Sequence, residues 1–393
     1  MDKHSIGIGV IGMGWMGQAH SRAYNQMADR YYDSGIRPRL VICADDVAAR
    51  AERAKEALRF DECTTDWHAV ISHPEVQVVN VASPNYLHLE MVRAAAAVGK
   101  HVFCEKPVGR TPEETVEVEY AARKAGVMSF VGFNYRWAPM VQYAKKLIDD
   151  GKLGDMTHYR GRFFSMYGSN PMGLLTWRFK TEFAGTGVLG DLGSHVIDMA
   201  LMLMGPIERV AGQRNTFIKQ RPLPIPGQGT HFSLGKPGDP TGPVENEDYM
   251  GAMVQFKNGV VGTLEACRAI YGPKCEMAFE VNGNKGATRW NFERMNELDL
   301  YLPDGDVGHD GTTRLLGGPA FGDHGRFNPG DGIGMGYEDL KAIEAYNFLQ
   351  SIVDGKQRAP SFADALHVVE VQTAMMQSWE SGGWESVPSL RKE

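Results

Sequence analysis

Ile6-Gly7-Ile8-Gly9-Val10-Ile11-Gly12-Met13-Gly14-Trp15-Met16-Gly17 decides the fold: an apolar strand runs straight into glycines spaced Gly12-x-Gly14-x-x-Gly17. Gly12 permits a tight turn, Gly14 lets backbone approach a pyrophosphate, and Gly17 lets the next helix sit close to the sheet. N–H groups of the first helical turn, around Trp15 and Met16, together with the helix dipole, would hold the anion. A Gly-rich strand-to-helix turn without a ligand has the same composition. What separates the two is context: a strand before, a helix after, and an acid at the end of the next strand.

Asp45 is that acid. Leu40-Val41-Ile42-Cys43-Ala44 is a continuous apolar run, as in a strand buried on both faces of a parallel sheet. Asp45 follows it. The distance from Gly17 exceeds the usual spacing of about 20 residues, and a helix over Ala19–Ala28 with a polar extension over Asp29–Arg39 accounts for the excess. A carboxylate there accepts from both ribose hydroxyls and repels a 2′-phosphate, so NAD is expected over NADP. A helix over Ala48–Leu58 is expected to carry Arg50 and Arg53 away from the strand end.

Strand and helix patterns then alternate. Strands are expected at Val76–Ala82, His101–Cys104 and Met128–Phe133. Helices are expected at Leu87–Val98 and Pro112–Ala125, the latter capped by Thr111 and stopped at Gly126. This is the signature of a doubly wound parallel sheet, a Rossmann domain over residues 1–131, with ligands bound beyond the carboxyl ends of its strands. Ser83, Asn85, His88, Glu105 and Lys106 lie at or near such ends and suit the nicotinamide half of the cofactor.

From residue 132 to 393 the pattern becomes α+β. Strands are expected at Thr157–Phe164, Val210–Phe217, Tyr249–Phe256, Val260–Ala269, Cys275–Val281 and Ala287–Phe292. Asn258-Gly259 and Asn282-Gly283 mark hairpins, so the sheet is mostly antiparallel. Closing helices are expected at Tyr337–Val353 and Phe362–Trp379. Two irregular stretches, Arg221–Pro243 with six prolines and Pro303–Gly336 with eleven glycines, read as covers or intersubunit arms. His309 and His324 in the second read as solvated.

The net charge of −7 argues against nucleic acid or an anionic membrane as partner. No apolar run is expected to approach the roughly 18 residues that span a bilayer, and the first strand begins too early to leave room for a signal peptide. Five cysteines without a Cys-x-x-Cys pair read as reduced thiols of a cytoplasmic protein. No His, Cys or Asp cluster has metal-ligand spacing.

Two constellations carry chemistry. Glu105-Lys106-Pro107 ends a strand, where a lysine can project into a cleft and stabilise a developing alkoxide; a plain surface lysine is the alternative. Gly190-Asp191-Leu192-Gly193-Ser194-His195-Val196-Ile197-Asp198 leads into a helix over Ser194–Met204, with His195 in its first turn and Asp191 just ahead of it. An imidazole near a positive helix end resists protonation and can accept a proton near neutral pH. A structural histidine fits the same position. Tyr135, Arg136, Arg162, Trp177 and Arg178 are further pocket candidates, because aromatic and guanidinium groups suit sugar rings.

Together the Gly12–Gly17 turn, Glu105-Lys106-Pro107 and Asp191-x-Gly193-x-His195-x-x-Asp198 resemble the glucose–fructose oxidoreductase/inositol dehydrogenase (Gfo/Idh/MocA) family over essentially the whole chain, including Asn134-Tyr135-Arg136-Trp137. Glu245-Asn246-Glu247-Asp248 and the Gly334-x-Gly336-Tyr337-Glu338 lead-in to the penultimate helix look most similar to a levoglucosan dehydrogenase-like branch. The resemblance implies a dimer or tetramer, reversible oxidation of a secondary hydroxyl on a sugar or polyol, and Lys106, Asp191 and His195 as catalytic triad. For that branch it implies C3 of a pyranoside. A glycoside-cleaving enzyme that uses NAD transiently and an NADP-dependent reductase are the competing enzymatic readings. A nucleotide-sensing regulator would need the trio to be lost.

Overall fold

A computed structural model of the protein describes residues 4–224, 233–303 and 310–393. The first sheet holds six parallel strands: β1 (His4–Ile11), β2 (Ile36–Ala44), β3 (Glu62–Thr64), β4 (Val78–Val81), β5 (His101–Cys104) and β6 (Ser129–Val131). Their order is β3-β2-β1-β4-β5-β6, so the order in which strands are added reverses beside β1. That is the switch point at which doubly wound sheets bind ligands. The linking helices are α1 (Trp15–Arg30), α2 (Ala48–Leu58), α3 (Trp67–Ser72), α4 (His88–Ala97) and α5 (Pro112–Ala125). The expected caps of α5 are present: Thr111 accepts from Glu114 N–H, and Gly126 is left-handed.

The stretch before Asp45 is less irregular than expected. Asp29 and Arg30 finish α1, and β2 already begins at Ile36, its first half pairing with β1 from His4 onward.

A helix α6 (Pro139–Asp149) leads to a nine-stranded sheet of β7 (Met156–Ser165), β8 (Ile207–Asn215), β11 (Tyr249–Phe256), β12 (Val261–Cys267), β13 (Cys275–Gly283), β14 (Ala287–Asn291), β15 (Glu297–Tyr301), β16 (Thr313–Leu316) and β17 (Glu385–Ser386). Only β7 and β12 run parallel. Gly259, at φ +89°, closes the expected β11–β12 hairpin.

Short helices α7 (Thr181–Ala184) and α9 (His324–Phe327) flank α8 (Ser194–Met204) in sequence, and the long α10 (Tyr337–Asp354) and α11 (Phe362–Ser381) close the chain. Both long helices return to the first sheet. α10 packs on α1, α11 packs on α5, and Val131 N–H donates to Pro360 O beside β6.

Neither irregular stretch is wholly unstructured. β9 (Gln220–Pro222) and β10 (Thr241–Pro243) pair within the first, and β16 and α9 lie within the second. His324 is not solvated. It is 1% exposed, with Nε2 2.7 Å from Ile333 O, because Gly317 leaves room for its ring. His309 lies outside the described residues.

One further expectation fails. Thr181–Met204 is long and apolar enough, by length and composition, to cross a membrane, yet most of it is buried inside the fold, where α8 packs on β7, β12 and α11. Its apolarity is that of a core segment. All five cysteines are free.

Candidate active site

The glycine turn has the shape of an anion cradle. Gly12 sits at φ +93°, where a side chain is strained. A Cβ on Gly17 would lie 1.8 Å from Gly12 O, so only glycine lets α1 approach this closely, whereas the space over Gly14 is open to 4 Å. Gly14 caps α1 without a side-chain hydrogen bond, leaving N–H groups of the first turn for a ligand. Trp15 is 62% exposed and stacks on Tyr337 at 5.4 Å, and Tyr337 Oη reaches Met16 Sδ.

Asp45 lies beside the glycine turn. It accepts from Met13 N–H at 2.8 Å and Val47 N–H at 2.9 Å. Contrary to expectation, the first turn of α2 does not carry Arg50 away: its Nε lies 3.4 Å from Asp45 Oδ1. Arg53 is exposed. Ser83 and Asn85 lie beyond β4, half-buried, with Ser83 Oγ on Met91 Sδ and Asn85 Nδ2 on Ala184 O. The open cradle and the carboxylate beside it fit a dinucleotide.

Two residues assigned to the cofactor face elsewhere. His88 is fully buried, with Nδ1 2.8 Å from Pro107 O and Nε2 2.8 Å from Ser83 O, so both ring nitrogens face the backbone of neighbouring loops. Glu105 turns its carboxylate into the interior, where His20 Nε2 and Lys341 Nζ meet Oε1 at 2.7 and 3.0 Å.

Lys106, Asp191 and His195 do come together. Lys106 Nζ donates to both Asp191 O and Asp191 Oδ1 at 2.9 Å, and Tyr167 Oη donates to Asp191 Oδ2 at 2.7 Å. The bonds hold the carboxylate in one orientation. Burial alone would raise the Asp191 carboxyl, but the Lys106 ammonium, the Arg178 guanidinium and these hydrogen bonds hold it below the usual carboxylate range.

A wide π-helical turn over Leu189–Gly193 runs directly into α8, placing Asp191 and His195 four residues apart on one continuous helix. Such turns recur at functional sites. Its start is fixed from Glu245-Asn246-Glu247-Asp248: Leu189 N–H donates to Glu247 Oε1 at 2.9 Å and Val188 N–H to Glu247 O.

His195 is therefore in the second turn, away from the helix end, and the expected dipole is not what keeps it neutral. Burial and the Lys106 ammonium hold its imidazole well below the ordinary value. Its Nδ1 lacks a hydrogen-bond partner among the described residues. Tyr135 packs edge-on against it at 4.8 Å, and the Tyr135 ring in turn meets Phe163, Phe292 and Tyr337, forming an aromatic wall.

The remaining pocket candidates separate. Arg136 is buried and engaged by both oxygens of Asp198, with Asp364 3.6 Å away, so its fork is occupied by the protein. Arg162 lies on β7 next to Phe163, which touches Tyr135 and His195. Alternation along the strand sends Arg162 to the opposite sheet face, where it pairs with Glu276 at 2.9 Å. Trp177 is half-buried beneath Arg178, whose guanidinium lies 4.4 Å from its ring centre and is felt by Asp191. Tyr167, Phe292 and Lys341 were not singled out by the sequence, and Tyr337 appeared only within the lead-in motif of α10, not as a pocket residue. Among the described residues no group of side chains could hold a metal ion.

Two family descriptions match the chain: "Oxidoreductase family, NAD-binding Rossmann fold" over residues 6–133 and "GFO/IDH/MocA C-terminal domain" over residues 141–289. Levoglucosan dehydrogenase of Pseudarthrobacter phenanthrenivorans is 36% identical over 389 residues, covering 98% of this chain and 99% of that protein. A myo-inositol 2-dehydrogenase of Thermotoga maritima is 28% identical, covering 77% of this chain and 80% of that protein. A solved levoglucosan dehydrogenase in complex with NADH and levoglucosan superposes with a TM-score of 0.92 at 35% identity, covering 98% of this chain and all of that one. With the glycine cradle, the Lys106–Asp191 pair and the parallel-then-antiparallel sheets, these matches establish that the chain belongs to the Gfo/Idh/MocA family of NAD-binding oxidoreductases.

Proposed function

We propose that the protein reversibly oxidises a secondary hydroxyl of a sugar or polyol, C3 of a pyranoside ring, with NAD as hydride acceptor. One observation carries this reading: a proton-accepting imidazole, an ammonium and an oriented carboxylate meet beside an aromatic wall. Sugars present apolar C–H faces to aromatic rings and hydroxyls to charged groups. The likeness to proteins named for levoglucosan and inositol oxidation supports the substrate class.

When bound, NAD⁺ would supply the hydride acceptor for oxidation of the carbinol carbon. The Gly12–Gly17 turn, Asp45, Ser83 and Asn85 would hold it. His195, neutral at physiological pH, accepts the hydroxyl proton. Lys106, tied to Asp191, donates to the same oxygen as negative charge grows there. Asp191 keeps the ammonium in place and accepts from a neighbouring hydroxyl. We further propose that residues 1–131 and 132–393 divide cofactor from substrate and assembly roles, and that the protein is cytoplasmic. Exposed Met253 and Val261 on β11 and β12 support a homo-oligomer joined through the open sheet face.

Incubation of the enzyme with NAD⁺ and a panel of inositols, hexoses, levoglucosan and aryl glycosides tests the reading. NADH should accumulate with a pyranoside or polyol, and 3-deoxy analogues should be inert. Aglycone released without net NADH would instead establish transient oxidation.

Two expectations follow from the same geometry. Because only the neutral His195 accepts a proton, and its proton affinity is depressed, activity should fall on the acid side only below pH 6.5. A pH profile of kcat/KM whose acid limb lies above pH 7 would contradict this. Asp45→Ala removes a ribose acceptor worth about 1.5–3 kcal/mol and frees Arg50 to meet a 2′-phosphate. The NAD-over-NADP ratio of kcat/KM should drop by about tenfold or more. An unchanged ratio would remove Asp45 from cofactor choice.

A further inference from the structure

Lys341 is encoded far from the glycine turn, yet its side chain is wholly buried at the base of the site. Its Nζ lies 3.0 Å from Glu105 Oε1 and 3.0 Å from Glu344 Oε2. An ion pair this deep is not a general stabiliser, since apolar residues of similar volume pack there as well or better. What distinguishes the pair is what Glu105 does next.

Glu105 Oε2 accepts from the backbone N–H of Lys106 at 3.2 Å. Gly132 makes room for the carboxylate: a Cβ there would come within 2.7 Å of both oxygens. On the other side of Lys106, His88 holds Pro107 O. The backbone of Lys106 is thus pinned before and after the residue whose ammonium meets Asp191. His20 also contacts Glu105, but burial favours its neutral form, so Lys341 supplies the positive charge that keeps Glu105 an acceptor.

We propose that Lys341 is a positioning residue: by anchoring the Glu105 carboxylate, and through it the Lys106 backbone, it sets where the Lys106 ammonium stands in the site. The inference rests on the role given to Lys106 above. It joins α10, packed on α1, to the end of β5.

Lys341→Met keeps most of the length of the side chain and removes the charge. In the full-length enzyme, kcat should fall by about a hundredfold, the usual cost of a displacement of about 1 Å in a reacting group. NADH affinity, read by fluorescence titration, should stay within about threefold, because the loss falls on turnover rather than binding. A crystal structure of the variant should show Lys106 Nζ withdrawn from Asp191. Glu105→Gln, nearly isosteric, should act in the same direction. The double variant should be no worse than the more damaged single one, since both act through one link.

A folded Lys341→Met enzyme with parental kcat, or one in which Lys106 still donates to Asp191, would overturn the proposal. So would activity and NADH binding that decline together with the folded fraction. If Lys341→Met does not fold, Glu105→Gln decides by the same readouts. If the parent enzyme oxidises nothing in the sugar panel, the proposed function fails. The Lys106–Asp191 separation in the variant crystal still decides this inference.

Discussion

A Lys106→Met enzyme is expected to lose about a thousandfold or more in kcat while binding NADH as the parent does, because two effects act together. The first is loss of the donor to the reacting oxygen: removing one preorganised donor costs about 10²–10³ in rate. The second is electrostatic. Lys106 holds both its partners away from their ordinary proton affinities, depressing the Asp191 carboxyl and the His195 imidazole alike. Without the ammonium both rise. His195 then carries a proton over more of the acid range and fails as acceptor there, so the acid limb of kcat/KM should move to higher pH in the variant. His195→Asn should also cut kcat steeply, by about 10²–10⁴, but should abolish the acid limb rather than move it. Stopped-flow turnover across pH with both variants separates the roles. Retention of more than about a tenth of parental kcat in Lys106→Met would remove the lysine from the reaction.

Why these residues were legible in the sequence, and others were not, follows from how local each signal is. The Gly12–Gly17 turn is written in consecutive residues, and Gly17 meets Gly12 O within it, although Gly12 also packs against the distant Ala82 and Ser83. Tyr249–Phe256 and its Asn258-Gly259 turn are equally local, since hairpin geometry is fixed by the turn itself. Arg162 failed because strand alternation sets which face a side chain takes, and its partner Glu276 lies on a strand more than a hundred residues away. Arg136 failed for a related reason: a guanidinium on a junction reads the same whether it meets a ligand or a buried Asp198.

Tyr167 gave no signal, because its value comes from Asp191, which reaches it only after β7 and the π-helical turn are packed. Lys341 did leave a trace. Lys341 and Glu344 are charged residues three apart on the apolar stripe of α10, among buried Leu340, Ile343 and Phe348. Two opposite charges on a buried stripe signal a partner in the core. The sequence does not say that the partner is Glu105.

The largest expected loss of stability is at Arg268, on the loop that follows β12. Its side chain is 1% exposed, and its Nε donates to Asp248 Oδ1 at 2.9 Å, with Asp248 itself at 0%. Asp248 Oδ2 accepts from the N–H groups of Phe217 and Ile218, and Arg268 Nη2 donates to Asn246 Oδ1 at 2.8 Å. The guanidinium also lies 4.4 Å from the Phe179 ring centre, with Arg221 4.2 Å from the same ring. Arg268→Met removes the only cation bonded to Asp248 among the described residues and leaves a buried carboxylate without its counter-charge. Breaking one side of such a pair costs about 3–5 kcal/mol.

Chemical denaturation followed by fluorescence should show that loss. Asp248→Asn in the Arg268→Met background should recover part of it, because the penalty belongs to the orphaned charge and not to the missing contact. A loss below about 1 kcal/mol in Arg268→Met would mean that solvent reaches Asp248, as at an exposed pair. The same variant bears on catalysis. Asn246 and Glu247 precede Asp248 directly, and Glu247 fixes the start of the helix that carries Asp191 and His195. Loosening Arg268 should therefore lower kcat in the enzyme that remains folded, ahead of any loss in NADH binding, since the glycine turn lies in the other sheet.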